Sequence, residues 1–142
     1  MDTISKDRRS WNMQRIRSKN TSPELIVRSF LHRNGFRFRI CDSRLPGKPD
    51  IVLKMHNLII QVRGCFWHQH PDCRRASIPS SNTEYWHPKL KRNIERDQQT
   101  DCKLTALGWK VVVIWECEVK NGNFKQILAQ QLPSQWNQAE KE

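Results

Sequence analysis

The chain has 142 residues, 37% of them hydrophobic, enough for one modest core and too little for a second large domain. Twenty-five Lys and Arg against 14 Asp and Glu leave a formal charge of +11, a field that attracts polyanions and points first to nucleic acid. No run reaches the roughly 18 apolar residues of a membrane span, and the opening MDTISKDRRSWNMQRIRSKN lacks a secretory apolar segment, so we expect a cytosolic monomer with no membrane partner.

Residues 1–20 read as a basic arm that DNA can order, the alternative being a disordered tail. A helix is predicted from Thr21-Ser22-Pro23-Glu24: Thr21 and Glu24 have capping-box spacing, and Pro23 suits a first turn. Leu25, Ile26, Phe30 and Leu31 supply its apolar stripe, and Asn34-Gly35 stops it. Phe36-Arg37-Phe38-Arg39-Ile40 alternates with period two, the pattern of a strand with one wet face. After the loop Leu45-Pro46-Gly47-Lys48-Pro49, strands are predicted at Asp50–Leu53 and Leu58–Val62 across a turn near His56-Asn57.

Residues 64–82 are irregular. A long helix is predicted from Pro88 to Gly108, followed by Trp109–Trp115 as a central strand covered on both faces. Phe124, Ile127, Leu128 and Leu132 mark a last amphipathic helix ended by Pro133. The order is helix, three strands, helix, strand, helix, which predicts an α/β mixed sheet flanked by helices over residues 21–133, with a polar tail at 134–142.

Pro49-Asp50 opens a strand directly after a Gly/Pro loop, where an Asp at the sheet edge could hold Mg²⁺ against a phosphate. Gln61-Val62-Arg63 ends the following strand. Together these resemble the restriction-endonuclease-like PD-(D/E)xK pattern, with Gln and Arg in the acidic and basic positions. Pro-Asp pairs also commonly cap loops, so the pair alone is weak evidence.

The segment Gly64-Cys65-Phe66-Trp67-His68-Gln69-His70-Pro71-Asp72-Cys73 carries more. Cys65, His70 and Cys73 have C-x4-H-x2-C spacing, and Cys117 beyond the later strand offers a fourth ligand. In a reducing cytosol this set favours a closed structural Zn²⁺ site over disulfides, the alternative being plain buried thiols. His68 is then left as a candidate general base, although spacing alone leaves a surface or zinc-bound histidine open. Phe66 and Trp67, large aromatics in a loop, are either packed against the zinc or free to wedge between base pairs.

Asp97 and Asp101 share a stripe with Leu90, Ile94 and Leu104. An inward Asp97 could accept the second N–H of His68; otherwise both carboxylates are simply solvated. Lys89, Lys91, Arg92 and Arg96 on the other sides suit phosphate contacts.

With these pieces assembled, the chain resembles the very-short-patch-repair DNA mismatch endonucleases. The resemblance runs from Asn12-Met13 to about Cys117, through Leu45-Pro46-Gly47-Lys48-Pro49-Asp50, Gly64-Cys65-Phe66-Trp67-His68, Thr83-Glu84-Tyr85-Trp86, Asn93-Ile94-Glu95-Arg96-Asp97, and Leu107-Gly108-Trp109 to Val113-Ile114-Trp115-Glu116-Cys117. It implies a restriction-endonuclease-like fold at 21–133 and a nick in duplex DNA beside a T:G mismatch left by 5-methylcytosine deamination. It implies Asp50 and the Val62 backbone carbonyl as Mg²⁺ ligands, His68 as catalytic histidine, Asp97 behind it, and Glu24 on metal-bound water. Cys65, His70, Cys73 and Cys117 match zinc ligands; Phe66, Trp67 and Trp86 match intercalating aromatics; Met13, Lys89 and Asn93 match positions near the mispaired bases.

Two departures stand out. Arg63 occupies a position often filled by a second active-site His; it can stabilise a phosphate but cannot carry a proton at neutral pH. One extra residue separates His70 from Cys73, which zinc spacing tolerates. The rival readings are a nuclease of the same fold with another DNA substrate, a zinc-stabilised DNA-binding module without catalysis, which Gln61 and Arg63 would suit, and an RNA-binding protein.

Overall fold

The apolar runs assemble into one four-stranded sheet in the computed structural model, which describes residues 21–132. The 1–20 arm with Met13, and the chain from Pro133 onward, lie outside the described residues. Strands β1 (Arg39–Ile40), β2 (Ile51–Leu53) and β3 (Leu58–Arg63) form an antiparallel meander, and β4 (Lys110–Trp115) pairs with β3 in parallel. A parallel neighbour requires a crossover, and helix α2 (Thr83–Ala106) supplies it. Helix α1 (Ser22–Arg33) precedes the sheet, while α3 (Glu116–Asn121) and α4 (Phe124–Gln131) follow it. The expected mixed α/β sheet flanked by helices is therefore present.

The two faces of the sheet are covered unequally. Val27, Phe30 and Leu31 of α1, Val119 of α3, and Phe124 and Leu128 of α4 pack with Ile51, Leu53, Leu58, Ile60, Val112 and Ile114 in the main core. On the other face a smaller cluster joins Val52 and Ile59 to Leu104 of α2, with Leu45, Trp109 and Val111 partly covered. Burying these side chains supplies the main driving force for folding.

Several sequence expectations need correction. The central strand is β3, buried at five of its six positions, whereas β4 is an edge strand with Lys110 exposed and Val111 and Val113 half-buried. An all-apolar run therefore marked an edge here, because α2 covers its second face only in part. The 36–40 strand contracts to Arg39–Ile40, which pair with Val52 and Ile51 of β2. Helix α1 turns Val27 inward and leaves Leu25 and Ile26 half exposed. No side-chain cap forms at Thr21; Glu24 pairs with Arg28 at 3.0 Å instead of reaching back.

Helix α2 begins five residues before Pro88, at Thr83. The N–H groups of Tyr85 and Trp86 both bond the Asn82 carbonyl, and Asn82 itself is left-handed at φ 56°. Pro88 lies inside the helix and leaves out one i→i−4 backbone bond, the one to the Glu84 carbonyl, in its second turn. Helix α3 was not expected at all. Its signals are Glu118, whose carboxylate accepts from the Trp115 N–H at 2.9 Å, and Gly122, left-handed at φ 85° beyond the end.

The loop before Asp50 is clamped to α2 at Gly47. This residue has φ +71°, and a Cβ there would lie 2.4 Å from Thr100 Cγ2. Gly47→Ala should therefore destabilise the protein by about 2–4 kcal/mol, from left-handed strain plus overpacking. Urea denaturation measures this, and Thr100→Ala in the same chain should restore part of the loss.

Candidate active site and metal centre

Strand β3 outruns its partner. The β2–β3 register ends at Ile51↔Ile60, so on that edge Gln61, Val62 and Arg63 face the Pro49-Asp50 bend, while their other edge pairs with Val113, Ile114 and Trp115 of β4. The Val62 N–H donates to Asp50 Oδ2 at 2.8 Å, and the Asp50 N–H donates to Gln61 Oε1 at 3.2 Å. Gln61, at the position where the resembled pattern carries an acid, thus braces the backbone of the key aspartate. In an extended strand the N–H and C=O of one residue share a side, so the Val62 carbonyl also faces Asp50.

The Asp50 carboxyl is pushed up from its ordinary 3.8 to about 6. Burial is the main cause and the nearby Glu24 carboxylate the second; the Val62 hydrogen bond, His68 and Arg63 pull the other way without cancelling them. Glu24 is buried, 6% exposed, with Arg28 against its Oε2. Two crowded carboxylates beside a backbone carbonyl are oxygen donors of the hardness that Mg²⁺ prefers, and a cation would relieve their repulsion. The residues present therefore fit a divalent ion.

Beyond β3 the chain turns sharply, with the His68 N–H bonded to the Gly64 carbonyl and the His70 N–H to that of Cys65. Gln69, left-handed at φ 50°, ties the loop together by donating to the carbonyls of Phe66 at 2.7 Å and Ala76 at 3.0 Å. This turn aims His68 at α2, where its Nδ1 lies 2.6 Å from Asp97 Oδ2. A carboxylate only accepts, so Nδ1 carries a proton, and in the neutral ring the lone pair then lies on Nε2. One turn later Asp101 holds Arg63, whose terminal nitrogen lies 2.7 and 2.8 Å from its two oxygens. The inward arrangement of the α2 stripe is thus the one that forms, for both carboxylates. Sequence reasoning gave Asp101 no partner; its four-residue spacing from Asp97 was the signal.

Phe66, Trp67 and Trp86 gather into one cluster, with ring centroids 5.1, 5.2 and 5.8 Å apart. Lys89 Nζ lies 5.8 Å from the Trp67 ring and 3.0 Å from the Tyr85 hydroxyl, while Asn93 donates to the Trp67 carbonyl at 3.0 Å. The loop aromatics therefore pack on Trp86 of α2, and Lys89 and Asn93 are neighbours of that ledge.

The ligating atoms of Cys65, His70, Cys73 and Cys117 all lie within 4.8 Å of one another. Tetrahedral zinc with thiolates would set neighbouring sulfurs about 3.8 Å apart, so the set needs little adjustment. His70 Nδ1 sits 3.7 Å from the Cys65 sulfur and 3.4 Å from that of Cys117, its ring stacked on Trp115 at 4.2 Å. The Cys117 N–H points at the Cys65 sulfur at 3.4 Å. Burial pushes the Cys65 thiol up to about 12, a cost that a bound cation removes. Cys3His chemistry fits a structural zinc site tying the 65–73 loop to the start of α3.

Residues 1–75 match a family described as DNA mismatch endonuclease Vsr. The chain is 48% identical over 120 residues to the type II nicking enzyme V.XorIIP of Xanthomonas oryzae pv. oryzae, covering 84% of this chain and 88% of that one. It is 46% identical over 120 residues to the type II nicking enzyme V.NmeAIP of Neisseria meningitidis, covering 84% and 85%. It is also 39% identical over 119 residues to the DNA mismatch endonuclease Vsr of Escherichia coli, covering 84% and 76%.

Proposed function

Because the chain belongs to the Vsr family of DNA mismatch endonucleases, we propose that it nicks one strand of duplex DNA beside a T:G mismatch, using Mg²⁺ for catalysis and Zn²⁺ for structure. The observation that carries this reading is the 2.6 Å contact between His68 Nδ1 and Asp97 Oδ2, within electrostatic reach of a part-buried Asp50. The Pro-Asp bend at Asp50 and the Gln61–Arg63 strand end support a restriction-endonuclease-like fold for residues 21–133. The protein acts as a monomer on this reading, with the basic arm, including Met13, following the DNA.

Asp50 and the Val62 carbonyl would hold the magnesium, with Glu24 behind them; when bound, such an ion neutralises charge on a phosphate oxygen. His68 Nε2 takes a proton from the water attacking phosphorus as the P–O bond to the leaving sugar oxygen breaks, that oxygen taking a proton from solvent; Asp97 fixes the ring and stabilises the imidazolium that results. Arg63, held by Asp101, keeps a permanent positive charge near the pentacoordinate phosphorus of the transition state. Phe66, Trp67 and Trp86 form a preassembled wedge, and Lys89 and Asn93 stand beside it. A mismatched pair costs less to unstack, so insertion there selects the substrate. His68→Ala should slow single-turnover nicking about 10²–10⁴-fold while leaving DNA affinity intact.

Two relatives are named type II nicking enzymes, so a second reading is a nicking enzyme that needs no T:G pair. Strand-specific nicking of a T:G duplex and its T:A control, each with and without magnesium, separates the two. The proposal expects cleavage of the T:G strand only, and only with the metal. Equal cleavage of both duplexes would favour the second reading, and no cleavage of either would leave a DNA-binding module.

A further inference from the structure

Asp101 touches neither the aspartate of the proposed metal site nor the histidine, yet it lies 2.7 Å from Arg63. Arg63 has a second carboxylate close by: its Nε is 3.9 Å from Asp97 Oδ2, the same oxygen that meets His68 Nδ1 at 2.6 Å. The Arg63 side chain is 11% exposed, so water does little to hold its charge in place. A guanidinium in such surroundings moves to the nearest carboxylate that can accept it with good geometry. Asp97 and Asp101, four residues apart on one helix face, would also repel each other without a cation between them.

We propose that Asp101 is a positioning residue that anchors Arg63 and so reserves Asp97 for His68. Each cation then has its own carboxylate. With the anchor removed, Arg63 closes the 3.9 Å gap to Asp97 and competes with the imidazole for Oδ2, and the His68 ring loses its fixed orientation. Two acids on successive turns are needed because the site holds a permanent cation and an intermittent one, and only the second can be allowed to let go.

The catalytic part of this inference rests on the reading of His68 and Asp97 as a pair; the structural part does not. Asp101→Ala should lower the single-turnover nicking rate about 10–100-fold, the usual cost of losing an orienting partner. In a chain that already carries Arg63→Ala, the same change should cost nothing further, because the competing guanidinium is gone. An equal loss in both backgrounds would overturn the proposal.

The imidazole Nδ1–H resonance of His68 provides the readout independent of nicking. It should be shifted downfield in the native chain, lost or moved upfield in Asp101→Ala, and restored in the double variant. A resonance unchanged in Asp101→Ala would overturn the proposal even if the protein nicks no DNA at all. Should Asp101→Ala fail to fold, Asp101→Asn makes the same test, since it keeps the shape and removes the charge.

Discussion

Asp50→Asn should bind duplex DNA with near-native affinity and nick it at least about a thousandfold more slowly, since the several kcal/mol of charge stabilisation supplied at the phosphate is lost. The basic surface, which dominates affinity for the phosphate backbone, is untouched. The same substitution should make the metal-free protein more stable. Asp50 has its carboxyl raised from 3.8 to about 6 in the folded protein, so its neutral form is the one the fold favours. The stability this contributes is fully present below about pH 4 and is lost as pH rises through about 6. An amide carries no such pH dependence, so at pH 8 without divalent cation Asp50→Asn should gain up to about 3 kcal/mol over the native chain. Urea denaturation at pH 5 and pH 8 with a chelator for divalent ions outside the zinc site measures the difference. A variant that is equally unstable and inactive would assign Asp50 a structural role instead.

The second large effect concerns zinc. Cys117→Ser, or stripping the metal with a strong chelator, should lower unfolding free energy by at least about 5 kcal/mol, because structural zinc supplies about 10–16 kcal/mol in small peptides and whole domains hold only about 5–15. The main core of α1, α3, α4 and the sheet does not include His70 or Cys73, so the 64–82 loop should open before the sheet melts. That opening frees His68 from α2 and abolishes nicking at temperatures where the sheet still shows its circular dichroism signal. Native protein should carry one zinc per chain by atomic absorption. Unchanged stability after Cys117→Ser, with no zinc in the native protein, would make these residues ordinary thiols.

Much of the site could be read from the sequence because its residues are close in the chain or carry unusual chemistry. Cys65, His70 and Cys73 share one short loop, and few roles other than metal binding need that spacing; Cys117, offered as the fourth ligand by residue type, has its sulfur within 4.8 Å of the other three ligating atoms. His68 and Asp97 were linked by a stripe argument that depended on which way α2 faces, and only tertiary packing decides that. Arg63 and Asp101 are 38 positions apart and could not be paired by periodicity. The fold was legible in its element order but not in its details. The Val-rich run at β4 looked central because hydrophobicity reports burial and not strand position, and α2 covers that edge only partly. Pro88 looked like a helix start because its ring suits the first turn, yet it is also tolerated one turn further in. Glu24 looked like a capping residue, and its burial beside Arg28 near Asp50 was invisible to local patterns.

The account turns on whether Asp50 binds a divalent ion within reach of His68. The most direct measurement is anomalous diffraction from crystals of the protein on T:G duplex DNA, with Mn²⁺ standing in for Mg²⁺. The account predicts a manganese peak between the Asp50 carboxylate and the Val62 carbonyl, with His68 Nε2 turned towards the same phosphate. DNA seated on the aromatic ledge with no ion at Asp50, in crystals whose contents are nicked on dissolution, would contradict it.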